Sequence, residues 1–303
     1  MNSDAPTTDA VMPMVSLGAY RISRLILGGN PMGGGSHTSR FLDAAMRRYF
    51  TPEHSLELMR DCEEEGVNLW QTCPTRRFPA TLDIYRAHRA EGGKMHYMCI
   101  ATDIPNEMFS PGPGPGDAGT VASFVEAGAI AIAHWGTFTD RQWRSGDMGP
   151  VHEYLKKVRG SGVLVGLSTH YPEVIEYAED KGWDVDFYMA CVYNPERTRE
   201  EVQALLGGHV SAPGDGHEVY LEADPPRMYK VVQQTFRTCL VFKILAAGRR
   251  CGQQGQVEQA FKEAFSQIKA CDAVIVGMYP EYEDQARLNA EYVRRFSGLS
   301  REV

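Results

Sequence analysis

Residues 163–175 read VLVGLSTHYPEVI, and this stretch decides the fold because its character changes twice. It begins as an apolar run without alternation, which is typical of a strand buried on both faces. A short polar segment ending in His170 follows, and Pro172 then starts a helical pattern as a first-turn proline. The stretch therefore predicts a core strand that ends in an imidazole and is followed at once by a helix.

The same strand-and-helix unit recurs along the chain, without a change in composition. Eight units of this kind predict an α/β protein with one closed (β/α)8 TIM barrel, residues 15–303, after a disordered leader of residues 1–14. A doubly wound sheet is the alternative, but the glycines of LGGNPMGGG do not follow its phosphate-binding pattern. The predicted strands are 24–29, 67–71, 96–102, 129–134, 163–168, 185–193, 240–245 and 273–278.

Capping and proline signals predict where helices begin. Thr51 is a suitable N-cap residue before Pro52. Pro172, Pro226 and Pro280 stand where three further helices are expected to start.

Loop length distinguishes the two ends of this barrel. Every connection from a helix to the next strand is short, whereas long connections come only after strands, over residues 30–50, 103–117 and 194–224. Long loops rich in Gly and Pro at one end of a barrel mark its functional end. We therefore expect the site at the C-terminal mouth.

Two histidines, a lysine and a glutamate, Glu222, are the predicted catalytic groups at this mouth. His134 and His170 end consecutive strands, which lie about 5 Å apart in a sheet, so both rings are expected to reach one ligand. Either ring could instead be a hydrogen-bonded structural residue. Lys243 interrupts a predicted strand and is expected to face the mouth near Arg249, where Glu222 would pair with it. Such an amine could act as a base or a Schiff-base nucleophile.

Further polar residues at strand ends are predicted to bind substrate. They are Asn30, Gln71, Asp103, Tyr193, Asn194 and Arg249.

A metal site is also compatible with the two histidines. His134 and His170, together with a carboxylate, would suit zinc or manganese, although no compact motif such as HExxH occurs.

Composition limits the class of partner. The net charge of −8 argues against nucleic acid or an anionic membrane surface, and favours a small-molecule substrate. No apolar run reaches the roughly 18 residues of a membrane span. The seven cysteines are scattered without a CxxC pair, which indicates free thiols and a cytoplasmic protein. Nothing in the sequence indicates an oligomeric state.

Several segments resemble the aldo-keto reductase superfamily: VSLGAYRISRLILGGNPMGG, EEGVNLWQTCP, AHWGTFTD, VGLSTHYPEVI and VIVGMYPEYEDQARLNAEYV. The resemblance implies a (β/α)8 barrel and carbonyl reduction with NADPH. Of the family's Asp, Tyr, Lys and His tetrad, however, only His134 is present by position. Gln71 stands in place of the aspartate and Thr102-Asp103 in place of the lysine, and the tyrosine is missing.

The resemblance also implies a nucleotide site near the last strand. Gln285 and Asn289 keep the family-like spacing, and with Gly277 they would bind the cofactor if a nucleotide binds. No Arg or Lys in GMYPEYED is present to meet the 2′-phosphate of NADP. The cofactor therefore stays open between NADP, a divalent metal and none.

Three functions are compatible with these observations. The first is a non-redox enzyme of lyase, isomerase or hydrolase type, acting by acid–base chemistry on a small carbonyl- or sugar-like substrate. The second is a divergent NAD(P)H-dependent reductase that uses another proton donor, such as Tyr193 or His170. The third is an inactive barrel that serves as a binding subunit.

Overall fold

The computed structural model of the protein describes residues 11–75, 78–103, 120–207 and 218–301. An antiparallel hairpin, β1 (Met14–Leu17) and β2 (Tyr20–Ser23), precedes eight parallel strands. These strands close into a barrel in the order β10-β3-β4-β5-β6-β7-β8-β9, which confirms the predicted (β/α)8 fold. The barrel strands are β3 (Leu25–Gly28), β4 (Leu69–Gln71), β5 (His96–Ala101), β6 (Ala129–His134), β7 (Leu164–Thr169), β8 (Phe187–Cys191), β9 (Thr238–Phe242) and β10 (Ala273–Gly277).

Helices surround the barrel and fill part of two of the long loops. The described helices are α1 (Arg40–Tyr49), α2 (Pro52–Glu64), α3 (Thr81–Ala90), α4 (Val121–Glu126), α5 (Gly136–Ser145), α6 (Gly149–Arg159), α7 (Pro172–Asp180), α8 (Arg199–Leu206), α9 (Asp224–Gln234), α10 (Gln254–Gln267) and α11 (Gln285–Phe296). Helix α1 lies within loop 30–50 and α8 within loop 194–224. Among the described residues, none of the helices has the length and apolar character needed to cross a membrane.

The inside of the barrel is a packed apolar core that is closed at one end. Alternate strand residues such as Ile26, Met98 and Phe187 fill it. Leu17 and Ile22 of the hairpin belong to the same cluster, so the hairpin covers the N-terminal end. The C-terminal mouth is therefore the end at which a ligand can enter.

Two of the predicted helix starts hold in detail. The Thr51 hydroxyl accepts the backbone N–H of His54 as an N-cap, and Pro172 begins α7. Helix α9 begins two residues before Pro226. The prediction at Pro280 is wrong, because α11 begins only at Gln285. Proline is also common in loops, so a proline by itself does not establish a helix start.

Two further predictions need correction, and part of a third cannot be compared with the structure. The disordered leader is too long as predicted, since Met12 is buried and β1 begins at Met14. Lys243 does not interrupt a strand: β9 ends at Phe242, and Lys243 has a left-handed φ of 61°. Residues 104–117 and 208–217 of the predicted long loops lie outside the described residues.

Candidate active site at the mouth of the barrel

A cleft with two adjoining lobes opens at the C-terminal mouth. The inner lobe, about 200 Å³, lies over the strand ends and is lined by Thr72, Trp135, Ser168, His170 and Met189, among others. The outer lobe, about 330 Å³, lies beside β10 and α11 and is lined by Leu42, Met46, Leu245, Glu283, Gln285 and Asn289, among others. The lobes share Asn30, His37, Gln71, Phe242 and Lys243, so these residues mark their junction.

Backbone strain is concentrated around this cleft. Within the described residues, the non-glycine residues with positive φ are His37, Lys243, Ala246 and Ala247. They lie in the loops after β3 and β9. A left-handed conformation costs a non-glycine residue about 1–3 kcal/mol, and such strain clusters at functional sites. The strained backbone of these two loops therefore indicates a functional site at the cleft.

His170 borders the inner lobe, and its ring forms a hydrogen bond with a buried carboxylate. Its Nδ1 donates to Oδ2 of Asp140 at 2.6 Å, and Asp140 is completely buried in α5. The Thr169 hydroxyl donates to Oδ1 of Asp140 at 2.5 Å, which fixes the carboxylate. Burial alone lowers the pKa of His170, but the Cys191 sulfur and the Asp140 carboxylate outweigh it and raise that pKa to about 10. His170 is therefore an imidazolium at neutral pH.

His37 is a second carboxylate-held imidazole, and it borders both lobes. Its Nδ1 lies 2.5 Å from Oε1 of Glu218, and its Nε2 lies 3.0 Å from Nδ2 of Asn30. Because Asn30 Nδ2 can only donate, Nε2 accepts and Nδ1–H donates to Glu218. Burial lowers the pKa of His37, with smaller contributions in the same direction from Lys243 and His170, and the Glu218 carboxylate only partly offsets it. His37 is therefore neutral at neutral pH, and its acceptor nitrogen is bonded to Asn30, which also borders both lobes.

Lys243 faces the junction of the lobes, but its partner differs from the predicted one. Its Nζ lies 3.8 Å from Oε2 of Glu218, whereas Glu222 is exposed and borders neither lobe. The Tyr220 hydroxyl donates to the same Glu218 oxygen at 2.6 Å. His37 and Lys243 lower the pKa of Glu218 to about 2, against the opposing effect of burial. Glu218, not Glu222, is thus the carboxylate that pairs with Lys243.

Arg249 lies outside both lobes, where it stabilises two neighbouring loop segments. Its guanidinium donates to the carbonyl oxygens of His37 and Glu218, at 3.1 and 3.4 Å. The same group lies 4.0 Å over the ring of Tyr220. Arg249 borders neither lobe, so its predicted substrate contact is wrong. It ties the loop after β3 to the segment that starts at residue 218.

The prediction that His134 shares the cavity with His170 is wrong. His134 is fully buried, and its ring packs edge-on against Tyr154 of α6, outside the barrel wall. Thr139 Oγ1 lies 2.6 Å from Nδ1 and Thr102 Oγ1 lies 3.1 Å from Nε2. The Thr139 hydroxyl gives its proton to the Trp135 carbonyl, so it accepts from Nδ1–H. Burial lowers the pKa of His134 to about 3, as expected for a neutral structural residue.

Three other predicted substrate-binding residues also lie outside the cleft. Asp103 is exposed and forms an ion pair with Lys157 at 2.6 Å. Asn194 caps its own turn by accepting the Glu196 N–H. Tyr193 packs beneath Tyr220, with 5.3 Å between ring centroids. Only Asn30 and Gln71 of the predicted substrate-binding set border the lobes.

The inner lobe presents polar side chains that the protein leaves unpaired. Thr72 and Ser168 are 5% and 2% exposed, and within the described chain neither hydroxyl forms a hydrogen bond. The Gln71 amide, also at the lobe, likewise has no partner among the described residues. Buried polar groups are nearly always hydrogen-bonded, so their partners here are supplied by water or a ligand. These groups suit a ligand rich in hydroxyl or carbonyl oxygens.

The predicted metal site is not formed. His134 and His170 face opposite sides of the barrel wall, and both ring nitrogens of His134 are already bonded. Across the part of the chain that the structure describes, no group of three or more His, Cys, Asp or Glu residues could hold a metal ion.

The outer lobe does contain the residues predicted to bind a nucleotide, Gly277, Gln285 and Asn289. Its charges nevertheless do not fit NADP. Glu283 lines the lobe, held by the amides of Gln254 and Gln285 at 2.8 and 3.3 Å. A phosphate would otherwise favour the N-terminus of α11, but the Asp284 carboxylate already caps it by accepting the Arg287 N–H.

Three residues of the site, His37, Asp140 and Glu218, were not predicted from the sequence. His37 lies in the glycine-rich loop GGGSHTS, where the only signal was its position after a barrel strand. Asp140 lies on α5 and reaches His170 only through tertiary packing. Glu218 and His37 are 181 positions apart, and no local pattern connects them.

Comparison with known proteins gives the fold and little more. A scan against models of protein families finds no match, and a search among curated proteins finds none. An aldo-keto reductase from Klebsiella pneumoniae in complex with NADPH is similar with a TM-score of 0.56 and 11% identity, over 93% of this chain and 90% of that chain. Aldo-keto reductase AKR11C1 from Bacillus halodurans gives 0.55 and 11%, over 96% and 98%.

A different kind of barrel is about as similar. A truncated 3-deoxy-D-arabino-heptulosonate 7-phosphate synthase from Thermotoga maritima gives a TM-score of 0.53 and 16% identity, over 97% of this chain and 96% of that chain. The predicted likeness to the aldo-keto reductase fold is confirmed, and at these identities it is a likeness of fold alone. Since one fold carries many reactions, the function has to be argued from the site.

Proposed function

We propose that the protein is an acid–base enzyme that acts on a small, polar carbonyl- or sugar-like substrate in the inner lobe. One observation carries the proposal: two imidazoles, His37 and His170, border the same lobe, and each is held at Nδ1 by a carboxylate. A carboxylate at Nδ1 fixes the orientation of the ring, which is how enzymes position a general acid or base.

The two rings differ in protonation, which assigns their roles. His170 is protonated at neutral pH and donates a proton to the substrate oxygen. His37 is neutral, and its Nε2 accepts a proton once the substrate replaces Asn30 there. Titratable groups whose environments displace their pKa values in opposite directions are the pattern of an acid–base pair. Together the two steps move a proton across the substrate without a change in oxidation state.

Lys243 and the unpaired side chains supply the surroundings of this chemistry. The Lys243 ammonium group at the junction stabilises negative charge that develops on a substrate oxygen. The hydroxyls of Thr72 and Ser168 and the amide of Gln71 bind the hydroxyl or carbonyl oxygens of the substrate. A lobe of about 200 Å³ admits only a small head group.

The experiment is proton exchange in D2O. A panel of small aldehydes, ketones, aldoses and ketoses is incubated with the protein, and loss of the C–H signal next to the carbonyl is followed by NMR. His37→Gln and His170→Gln are each expected to slow exchange roughly 100- to 10,000-fold. His96→Gln, at the opposite end of the barrel, is the matched control and leaves the rate unchanged. Wild-type exchange rates in both site variants would contradict the proposal.

Two other functions receive less support. A nicotinamide-dependent reductase is favoured by Gln285 and Asn289 in the outer lobe, but the charges there oppose a phosphorylated nucleotide. An inactive binding subunit has no need for two carboxylate-held imidazoles at one cleft.

A further inference from the structure

The outer lobe has a role that the acid–base chemistry of the inner lobe does not explain. We propose that it binds a second, uncharged part of the same substrate, a flat and largely apolar group joined to the polar head in the inner lobe. The inference rests on the proposed function for the identity of the head. It assigns the outer lobe to the substrate and not to a phosphorylated cofactor.

The two lobes adjoin. His37, Gln71 and Lys243 border both lobes, so one part of a ligand in the inner lobe can lie next to a second part in the outer lobe at these residues. A molecule that spans the junction passes directly beside the proposed base. The bond that joins its two parts then lies next to His37.

The walls of the outer lobe are largely apolar. Leu42, Met46, Leu245, Val257 and Leu288 give the lobe apolar sides, which favour a hydrophobic or aromatic group. Among these apolar residues lies one amide without a partner. Asn289 is 5% exposed, borders the lobe and makes no side-chain hydrogen bond with any described residue. The occupant therefore carries a hydrogen-bonding edge that meets this amide, as a heterocycle does.

The outer lobe also carries a negative charge at its rim. The exposed Glu283 carboxylate lies there and accepts hydrogen bonds from Gln254 and Gln285, so a negatively charged occupant meets a like charge. Among the described lining residues, Lys243 is the only Lys or Arg of the outer lobe, and it already faces Glu218. A phosphate or carboxylate on the outer part of the ligand would be repelled. Because the carboxylate disfavours an anion and the apolar walls disfavour charge of either sign, the occupant is uncharged.

The test compares ligands that differ in one feature, with binding measured by isothermal titration calorimetry. Adenosine and phenyl β-D-glucoside are the uncharged two-part probes, ribose is a head alone, and 5′-AMP and NADPH add phosphate. We expect at least one two-part probe to bind ten-fold or more tightly than ribose. Adenosine is expected to bind at least ten-fold more tightly than 5′-AMP, and NADPH is expected not to bind.

Variants locate the binding. Asn289→Leu is expected to weaken a two-part probe at least five-fold and to leave ribose unchanged, whereas Thr72→Val weakens both. Glu283→Gln is expected to reduce the difference between adenosine and 5′-AMP. Glu258→Gln, which removes an exposed carboxylate on the outside of α10, is the matched control and changes neither.

Each outcome decides the inference. Tighter binding of 5′-AMP or NADPH than of adenosine, no binding of either two-part probe, or an unchanged affinity in Asn289→Leu would overturn it. The measurements are repeated in His170→Gln, where binding of the outer part should persist. Proton exchange without two-part binding refutes only this inference, while two-part binding without exchange refutes only the acid–base function.

Discussion

Nδ1 of His170 donates to Oδ2 of Asp140 at 2.6 Å, in a buried contact beside the inner lobe. The carboxylate comes from helix α5 and the imidazole from the end of β7, so two consecutive units of the barrel build the pair. The Cys191 sulfur and this contact together raise the pKa of His170 to about 10, at a depth where burial alone would lower it.

Replacement of Asp140 by Asn should shift the pH range of activity. The pKa of His170 is about 10 in the native protein, so a reaction that needs the imidazolium is expected to lose rate only above that pH. Without the carboxylate the pKa falls, and the alkaline limb of the rate profile moves towards neutral pH. The measurement is the pH dependence of kcat/KM for both proteins. An alkaline limb at the same pH in both proteins would show that Asp140 does not raise the pKa of the proton donor.

Glu218→Gln should change the acidic limb of the pH profile of kcat/KM. The Glu218 carboxylate favours protonated His37, so its removal lowers the pKa of His37 further. Activity that needs neutral His37 is then retained to lower pH, while the maximal rate falls because the ring loses its charged support. The same kcat/KM profile measures both effects. Glu222→Gln, a change of an exposed carboxylate outside the cleft, is the control and should leave the profile unchanged.

His134 should govern acid stability and not activity. Its pKa is lowered to about 3, so between the unfolded value near 6.5 and about 3 the unfolded chain binds a proton that the native protein does not. Stability is therefore complete above about pH 6.5 and is lost as the pH falls, by on the order of 4 kcal/mol in total. Urea unfolding of wild type and His134→Gln at pH 7 and pH 4.5 measures the effect. The variant should lose less stability between these pH values, and an equal loss in both proteins would contradict the assignment.

Gly136→Ala should damage the site without removing any polar group. A Cβ at this position would lie 3.0 Å from the Ser168 hydroxyl and 3.3 Å from Cε1 of His170. One of the two side chains must shift, so kcat is expected to fall by about ten-fold or more, in line with the cost of a small misplacement. Gly146→Ala is not a suitable control because of its positive φ. Gly255→Ala, whose Cβ meets nothing within 4 Å, is suitable and should leave kcat unchanged.

The barrel itself was predictable because its eight apolar strands and one-sided long loops are local features of the sequence. The direction of His134 was not, since AIAIAH is apolar at every preceding position and so hides which residues face inwards. Ala131 and Ala133 belong to the inner core, and a period of two then turns His134 outwards. His170, beyond the end of β7, escapes that constraint. The Glu218–His37 contact depends on two loops, which no periodicity specifies.

The most direct test of the account is the protonation state of the two imidazoles in the native protein. Nitrogen-15 NMR of histidine-labelled protein, assigned with His37→Gln and His170→Gln, reports each ring as a function of pH. The account predicts that at pH 7.5 His37 is neutral with its proton on Nδ1, while His170 is protonated and titrates near pH 10. Two rings that both titrate near pH 6.5 would contradict it, because no acid and base would then be distinguished in the cleft.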